Sequence, residues 1–198
     1  MALFRRTPNP RTYKRYQRYK ALLAHDFNQQ CAYCEMSEGY LRTPDVFGVD
    51  HFKPFALFPE LACEYSYLYY CCNSCNSYKG KAWPTAEAAR AGEGFADPCS
   101  EDPYVAHFRS LANGQLEAIT PIGRFTLHRI RLNREACCRF RSRRSATAQR
   151  IERLRMTLDN YLQPSVYRSA VLEALDFALE EWKEMYSQSV ADDGVLEL

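Results

Sequence analysis

A chain of 198 residues, 46% hydrophobic and 25% charged, has the size and composition of one globular domain able to bury a core. No run reaches the roughly 18 apolar residues of a membrane span, and no apolar leader with a cleavage site opens the chain. Its nine cysteines therefore point away from a secreted disulfide scaffold and towards a cytoplasmic protein that holds metal.

Residues 1–10, with Pro8 and Pro10, read as a loose basic arm. Tyr13, Tyr16, Lys20, Leu23 and Phe27 share one face of a helix over 13–27, and Arg11, Arg15 and Arg18 lie on the other. That tyrosine and lysine pattern suits a helix packed on the next segment; contact with a nucleic-acid backbone is the lesser reading. Cys31 to Glu35 makes a tight knuckle, followed by a loop over 37–44. A strand over 46–49 runs into Asp50-His51, and Pro54 breaks it. The aromatic run 65–70 predicts a second strand. A helix capped by Asn73 or Ser74 then carries Asn76 and Lys79, and Gly80 and Pro84 close or kink it.

Thr85 caps a short helix to Glu93, and 95–104 is a proline-bearing loop. Asn113-Gly114 marks a hairpin between strands over 106–111 and 115–120. Residues 126–132 fit a strand or a short helix. Asn133 is the expected cap of a long helix over 134–162, with Ile151, Leu154, Leu158 and Tyr161 or Leu162 on its apolar stripe and Pro164 as its stop. A last helix, 166–186, buries Val171, Leu175, Leu179, Trp182 and Met185 or Tyr186, and the tail 187–198 frays.

The net charge of +2 hides a division. Residues 1–20 carry seven cations and no acid, and residues 124–155 carry eleven arginines against Glu135 and Glu152. Acids dominate after residue 165. Arg139, Arg141, Arg143 and Arg144 form the densest group. A guanidinium fork matches phosphate oxygens, so this group is a candidate nucleic-acid contact; docking on an acidic partner is an equal use.

Two Cys-x-x-Cys pairs, Cys31/Cys34 and Cys72/Cys75, have the spacing of a tetrahedral zinc site, with Cys71 the alternative to Cys72. Four thiolates leave the ion no open position, so this zinc is structural and can supply on the order of 10 kcal/mol of folding free energy. Unrelated buried thiols are the bland alternative. Cys63, Cys71, Cys99, Cys137 and Cys138 default to small core residues.

Asp50-His51-x-x-Pro54, followed by Cys72-x-x-Cys75-Asn76-x-x-Lys79-Gly80, resembles the HNH endonucleases of the ββα-metal fold. Cys31-Ala32-Tyr33-Cys34-Glu35 resembles the leading half-site of their zinc-bearing branch. Phe95-Ala96-Asp97-Pro98-Cys99, Asp102-Pro103 and Leu132-Asn133-Arg134 are similar to the HNH subunit of Septu-type anti-phage defence systems, commonly encoded beside an ABC/SMC-like ATPase. The resemblance implies an α+β fold, with a ββα-metal module carrying the four-cysteine zinc site embedded in a mostly helical chain. It divides the chain into a basic arm and helix (1–26), the module (27–84) and a helical extension with a small hairpin (85–198).

The same resemblance implies the site roles. His51 is the general base, Asp50 and Asn76 hold a catalytic Mg2+ or Mn2+, and Lys79 meets phosphate. The chain would hydrolyse phosphodiester bonds, of DNA ahead of RNA, as the effector of a defence complex with such an ATPase. Tyr67 departs from the family, standing where its middle Asn helps orient the base; a tyrosine hydroxyl or a backbone carbonyl can do that instead. Two alternatives stay open: a zinc module that binds nucleic acid or a partner without cleaving, and an RNase acting on tRNA-like RNA.

Overall fold

The computed structural model describes residues 1–160 and 166–186. Tyr161, Leu162, Pro164 and the tail 187–198, each given a role above, lie outside the described residues. The fold is mixed, mostly helical, with two small antiparallel sheets. No helix among the described residues is long and apolar enough to cross a membrane.

A 3-10 turn at Tyr16–Tyr19 leads into α1 (Lys20–Asp26), and a one-turn α2 spans Glu38–Leu41. The helix expected over 13–27 is shorter because the Tyr19 hydroxyl accepts the Tyr13 N–H (3.0 Å) and closes a local turn there. β1 (Phe47–His51) pairs antiparallel with β2 (Leu68–Cys72), setting Asp50 opposite Tyr69 and His51 opposite Leu68. All five residues of β2 are buried, with α1 and α3 (Asn73–Lys79) against it. The expected strand over 65–70 starts only at Leu68, since Tyr65–Tyr67 is a 3-10 turn. Aromatic richness reported burial there, not extended backbone. Cys72, rather than Asn73 or Ser74, is the N-cap of α3.

The first seven residues are no loose arm. Phe4 is 2% exposed, and the N–H groups of Leu3 and Phe4 donate to Pro98 O at 2.9 and 3.0 Å. Thr7 donates its N–H and its hydroxyl to the Asp26 carboxylate, each at 2.6 Å, and the Tyr65 hydroxyl donates to the same group. The Arg6 guanidinium lies over the rings of Phe27, Tyr65 and Tyr69 and donates to the carbonyls of Tyr65 and Leu68. Burial alone would raise the Asp26 carboxyl; the hydrogen bonds from Thr7, Tyr65 and His25 outweigh it and hold the group below its usual range. These pairings are long-range, so no local pattern announced them.

Thr85 accepts the Ala88 N–H and caps α4 (Ala86–Arg90) as expected. A short α5 (Pro103–Ala106) precedes β3 (Phe108–Ser110) and β4 (Leu116–Ala118), which form the expected hairpin. Gly114 is required in its turn twice over. Its φ is +78°, and a Cβ there would lie 2.1 Å from Cys138 O. Of the undecided stretch 126–132, residues 126–130 belong to α6 (Pro121–Ile130), started by Pro121 and by a Thr120 hydroxyl that accepts Gly123 N–H, and Arg131 ends it in the left-handed region.

Asn133 does not cap the long helix α7 (Glu135–Asn160). Its amide instead exchanges both hydrogen bonds with the Leu116 backbone at 2.8 Å, tying the hairpin to the start of α7. α7 packs along α8 (Val166–Tyr186), and the end of α8 packs on α2. Ser37 and Gln30 donate to the free carbonyls of Glu184 and Tyr186 in the last turn of α8.

Replacing Asp26 by Ala removes the charged acceptor shared by Thr7 and Tyr65. We expect a loss of about 2 kcal/mol in urea unfolding and faster tryptic cleavage after Arg5, Arg6 and Arg11. Unchanged cleavage would show that the segment is held without Asp26.

Candidate metal centre and catalytic site

The sulfurs of Cys31, Cys34, Cys72 and Cys75 lie within 4.8 Å of one another, and all four residues are buried. A tetrahedron with Zn–S bonds of about 2.3 Å has edges of about 3.8 Å, and Cys34 Sγ lies 3.8 Å from Cys72 Sγ. The donor set and its spacing thus fit a metal such as zinc. The knuckle is folded by Cys31 N–H on Met36 O and Glu35 N–H on Cys31 O, and Ala32 N–H on Tyr70 O hooks it to β2. Cys72 ends β2 and Cys75 lies in the first turn of α3, so one ion held there would join knuckle, strand and helix.

Without an ion the sulfurs must share protons. Burial, then contact with Cys34, Cys71, Cys72 and Cys75, pushes the Cys31 thiol well up. Hydrogen bonds from Cys137, Cys31, Cys72 and Cys75 hold Cys34 well down. A divalent cation takes the place of those shared protons. Cys71 Sγ stands 3.9 Å from Cys31 Sγ and donates to Cys72 O, beside the cluster and not part of it.

Two neighbours of the cluster escaped the sequence reading. Arg134 Nη2 donates to Cys75 Sγ at 3.2 Å, and Cys137 on α7 bonds Cys34. Burial acts to lower the Arg134 guanidinium, but the charge of Cys75, Cys137 and Cys34 raises it above its usual range. Both residues lie some sixty or more positions from the sulfurs they touch, where spacing rules have no reach.

Asp50 and His51 diverge from the end of β1, as successive residues of a strand must. Asp50 is 3% exposed and turned inward. Its Oδ2 accepts the Tyr33 hydroxyl at 2.6 Å, and its Oδ1 accepts Lys79 Nζ at 3.0 Å. Lys79 Nζ also donates to His51 O at 2.6 Å. Lys79, expected at a phosphate, is 1% exposed; its charge is turned into the interior as the counter-ion of Asp50 and faces no ligand. Asn76 lies one turn earlier on α3, half-buried, and its side chain makes no hydrogen bond among the described residues. A divalent ion at Asp50 does not fit this arrangement: both oxygens are engaged, and an ammonium already supplies the positive charge.

His51 faces the other way, half-buried. Its Nε2 is 3.0 Å from Ala62 O, with the Tyr16 ring edge-on at 4.6 Å and the Phe55 ring at 5.8 Å. A carbonyl can only accept, so Nε2 carries the hydrogen and Nδ1 of the neutral ring carries the lone pair. Tyr67 is not the residue that fixes this ring. Its carbonyl accepts Phe52 N–H and its ring lies under Lys53 Nζ at 4.8 Å.

The arginine group does not form one basic patch. At about 100° per residue Arg139 and Arg143 share one side of the helix, and Arg141 and Arg144 share another. Arg139 is exposed beside Glu135 at 3.1 Å. Arg141 is buried and donates to Gly114 O and Leu132 O at 2.6 and 2.8 Å, so it cannot meet a phosphate. Arg143 pairs with Glu181 on α8 at 2.7 Å. Arg144 pairs with buried Glu35 of the knuckle over 31–35; burial raises the Glu35 carboxyl despite the opposing guanidinium.

Comparison with models of protein families, with curated proteins and with solved structures finds no match to this chain.

Two expectations follow. Purified protein should carry one zinc per chain by elemental analysis; Cys72→Ser should lose it and Cys71→Ser should keep it. Equal loss in both would make Cys71 a ligand. Lys79→Met leaves a buried carboxylate unpaired and should cost about 3–5 kcal/mol in denaturant unfolding, with part recovered in Asp50→Asn/Lys79→Met. A surface lysine would show neither effect.

Proposed function

We propose that the chain is a phosphodiester hydrolase of the HNH type, with His51 as general base on a metal-clipped scaffold. The observation that carries this is the tautomer of His51. The Ala62 carbonyl holds Nε2–H, so the Nδ1 lone pair is held in one direction at the end of β1. An imidazole so fixed can take a proton from water near neutral pH. The oxygen of that water then attacks phosphorus, the bond to the leaving oxygen breaks, and that oxygen takes its proton from solvent. The part that the middle Asn plays in the family falls here to a backbone carbonyl.

DNA is the expected substrate ahead of RNA, as the effector of a defence complex whose partner is an ABC/SMC-like ATPase. That partner has a candidate face in the exposed acids of α8, Glu173, Asp176 and Glu180. The family resemblance also implies Mg2+ or Mn2+ at Asp50 and Asn76. Lys79 holds that place in this arrangement, so the reading rests on His51 and no step is assigned to the ion. The closed Asp50–Lys79 pair favours a second reading, a zinc module that binds nucleic acid or a protein without cutting it.

Plasmid DNA and a structured RNA, incubated with the zinc-loaded protein with and without Mg2+ or Mn2+, separate these readings. Wild type should nick DNA, and His51→Ala should lower the rate at least about 100-fold with zinc content and melting temperature unchanged. Full cleavage by His51→Ala would falsify the assigned base. Binding without cleavage under every condition would leave the second reading, and cleavage of RNA alone would replace DNA as the substrate.

A further inference from the structure

On α7, Arg141 and Arg144 are turned into the fold, and the exposed Arg139 and Arg143 are paired with Glu135 and Glu181; a second group of cations stands on residues 11–18. Arg11, Lys14, Arg15 and Arg18 are all exposed, and none pairs with a carboxylate among the described residues. Arg15 and Arg18 line one open cavity of about 550 Å³ together with Gln17. Arg11 and Arg18 both lie over the Tyr13 ring, at 5.6 and 6.0 Å.

This basic segment is bound rigidly to His51. Upstream, the Thr7–Asp26 and Arg6 contacts hold the chain to the core. Tyr16, between Arg15 and Gln17, packs edge-on against the His51 ring. Lys14 O accepts Cys63 Sγ at 3.2 Å, while the adjoining Ala62 carbonyl holds His51 Nε2. One dipeptide, Ala62-Cys63, therefore positions both the imidazole and the cations. Glu60 and Glu64, either side of this loop, are exposed and form no ion pair with these cations.

We propose that the segment 11–18 is a phosphate-backbone site for duplex nucleic acid, and that Arg15 and Arg18 each neutralise one phosphate of a strand led past His51. Nothing in the segment presents a helix for a groove, so the contact positions the duplex and reads no bases. The proposal shares with the functional reading its class of ligand, but it does not require that the chain cleave it.

The test measures binding of a short DNA duplex by zinc-loaded His51→Ala protein as salt rises from about 50 to about 200 mM. Each phosphate contact contributes about 0.9 to the slope of log K against log salt. Arg15→Gln/Arg18→Gln should make that slope shallower by about 2 and weaken binding at every salt concentration. Arg139→Gln/Arg153→Gln, which removes equal charge from exposed positions of α7, should leave slope and affinity unchanged. Melting curves and zinc content should match across the three proteins, since all four arginines are exposed.

An unchanged slope in the first double variant overturns the proposal. So does a loss confined to the α7 variant, or an absence of duplex binding at the lowest salt. The cleavage assay fails separately. Binding that depends on Arg15 and Arg18 without nicking keeps this site and removes the nuclease; nicking that ignores both arginines keeps the nuclease and removes this site.

Discussion

The four-sulfur cluster is the constraint on which the rest depends. Two strands of five residues form at best a marginal sheet in water, and the knuckle beside them is hooked to β2 by Ala32 N–H. A metal held by Cys31, Cys34, Cys72 and Cys75 would close a loop of some forty residues and add folding free energy on the order of 10 kcal/mol. Its reach extends past the ligands. Arg134 donates to Cys75, Cys137 bonds Cys34, and Glu35, next to Cys34, is the partner of Arg144. All three partners belong to α7 or its first approach, so the clip also seats the α7–α8 hairpin.

A second constraint is that charge cannot be buried alone. An unpaired ion inside a protein costs several kcal/mol, so each buried carboxylate here has claimed a cation or a set of donors. Asp50 takes Lys79 and Tyr33, Glu35 takes Arg144, and Asp26 takes Thr7 and Tyr65. Residues that read as ligand contacts in the sequence thus became internal counter-ions. The motif Asn76-x-x-Lys79 places Lys79 one turn along α3, but it does not say which way the ammonium points. Burial decided that.

What was legible in the sequence follows the range of each interaction. The Cys-x-x-Cys pairs, the Asn113-Gly114 turn, the Thr85 cap and the apolar stripes of α7 and α8 depend on neighbours within a turn or two, and they were readable. The side chain of Asn133 and the ends of α1 and β2 were misjudged, because partners at Leu116, Tyr19 and Asp26 override local preference. The contacts that Arg134 and Cys137 make with the sulfurs, and that Ala62 makes with His51, could not be read from the sequence. These residues act on the site through tertiary contact, and each is an ordinary residue in its own segment. The arginine group failed for a simpler reason: closeness in sequence is not closeness on a helix, where residues two apart face different ways.

These two constraints together explain where free charge can stand. Arg143 and Arg144 of α7 lie against an acidic helix and an acidic knuckle, where Glu181 and Glu35 pair with them. Residues 1–20 contain no acid, and their one buried ionic neighbour, Asp26, is already satisfied by uncharged donors from Thr7 and Tyr65. Arg6 is held by aromatic rings and carbonyls. The cations that follow it therefore have no internal anion to meet and must face solvent. Tyr16 and the Ala62-Cys63 dipeptide tie that stretch to the imidazole. An external polyanion drawn to them would lie on a segment packed against His51, whose Nε2 the Ala62 carbonyl holds.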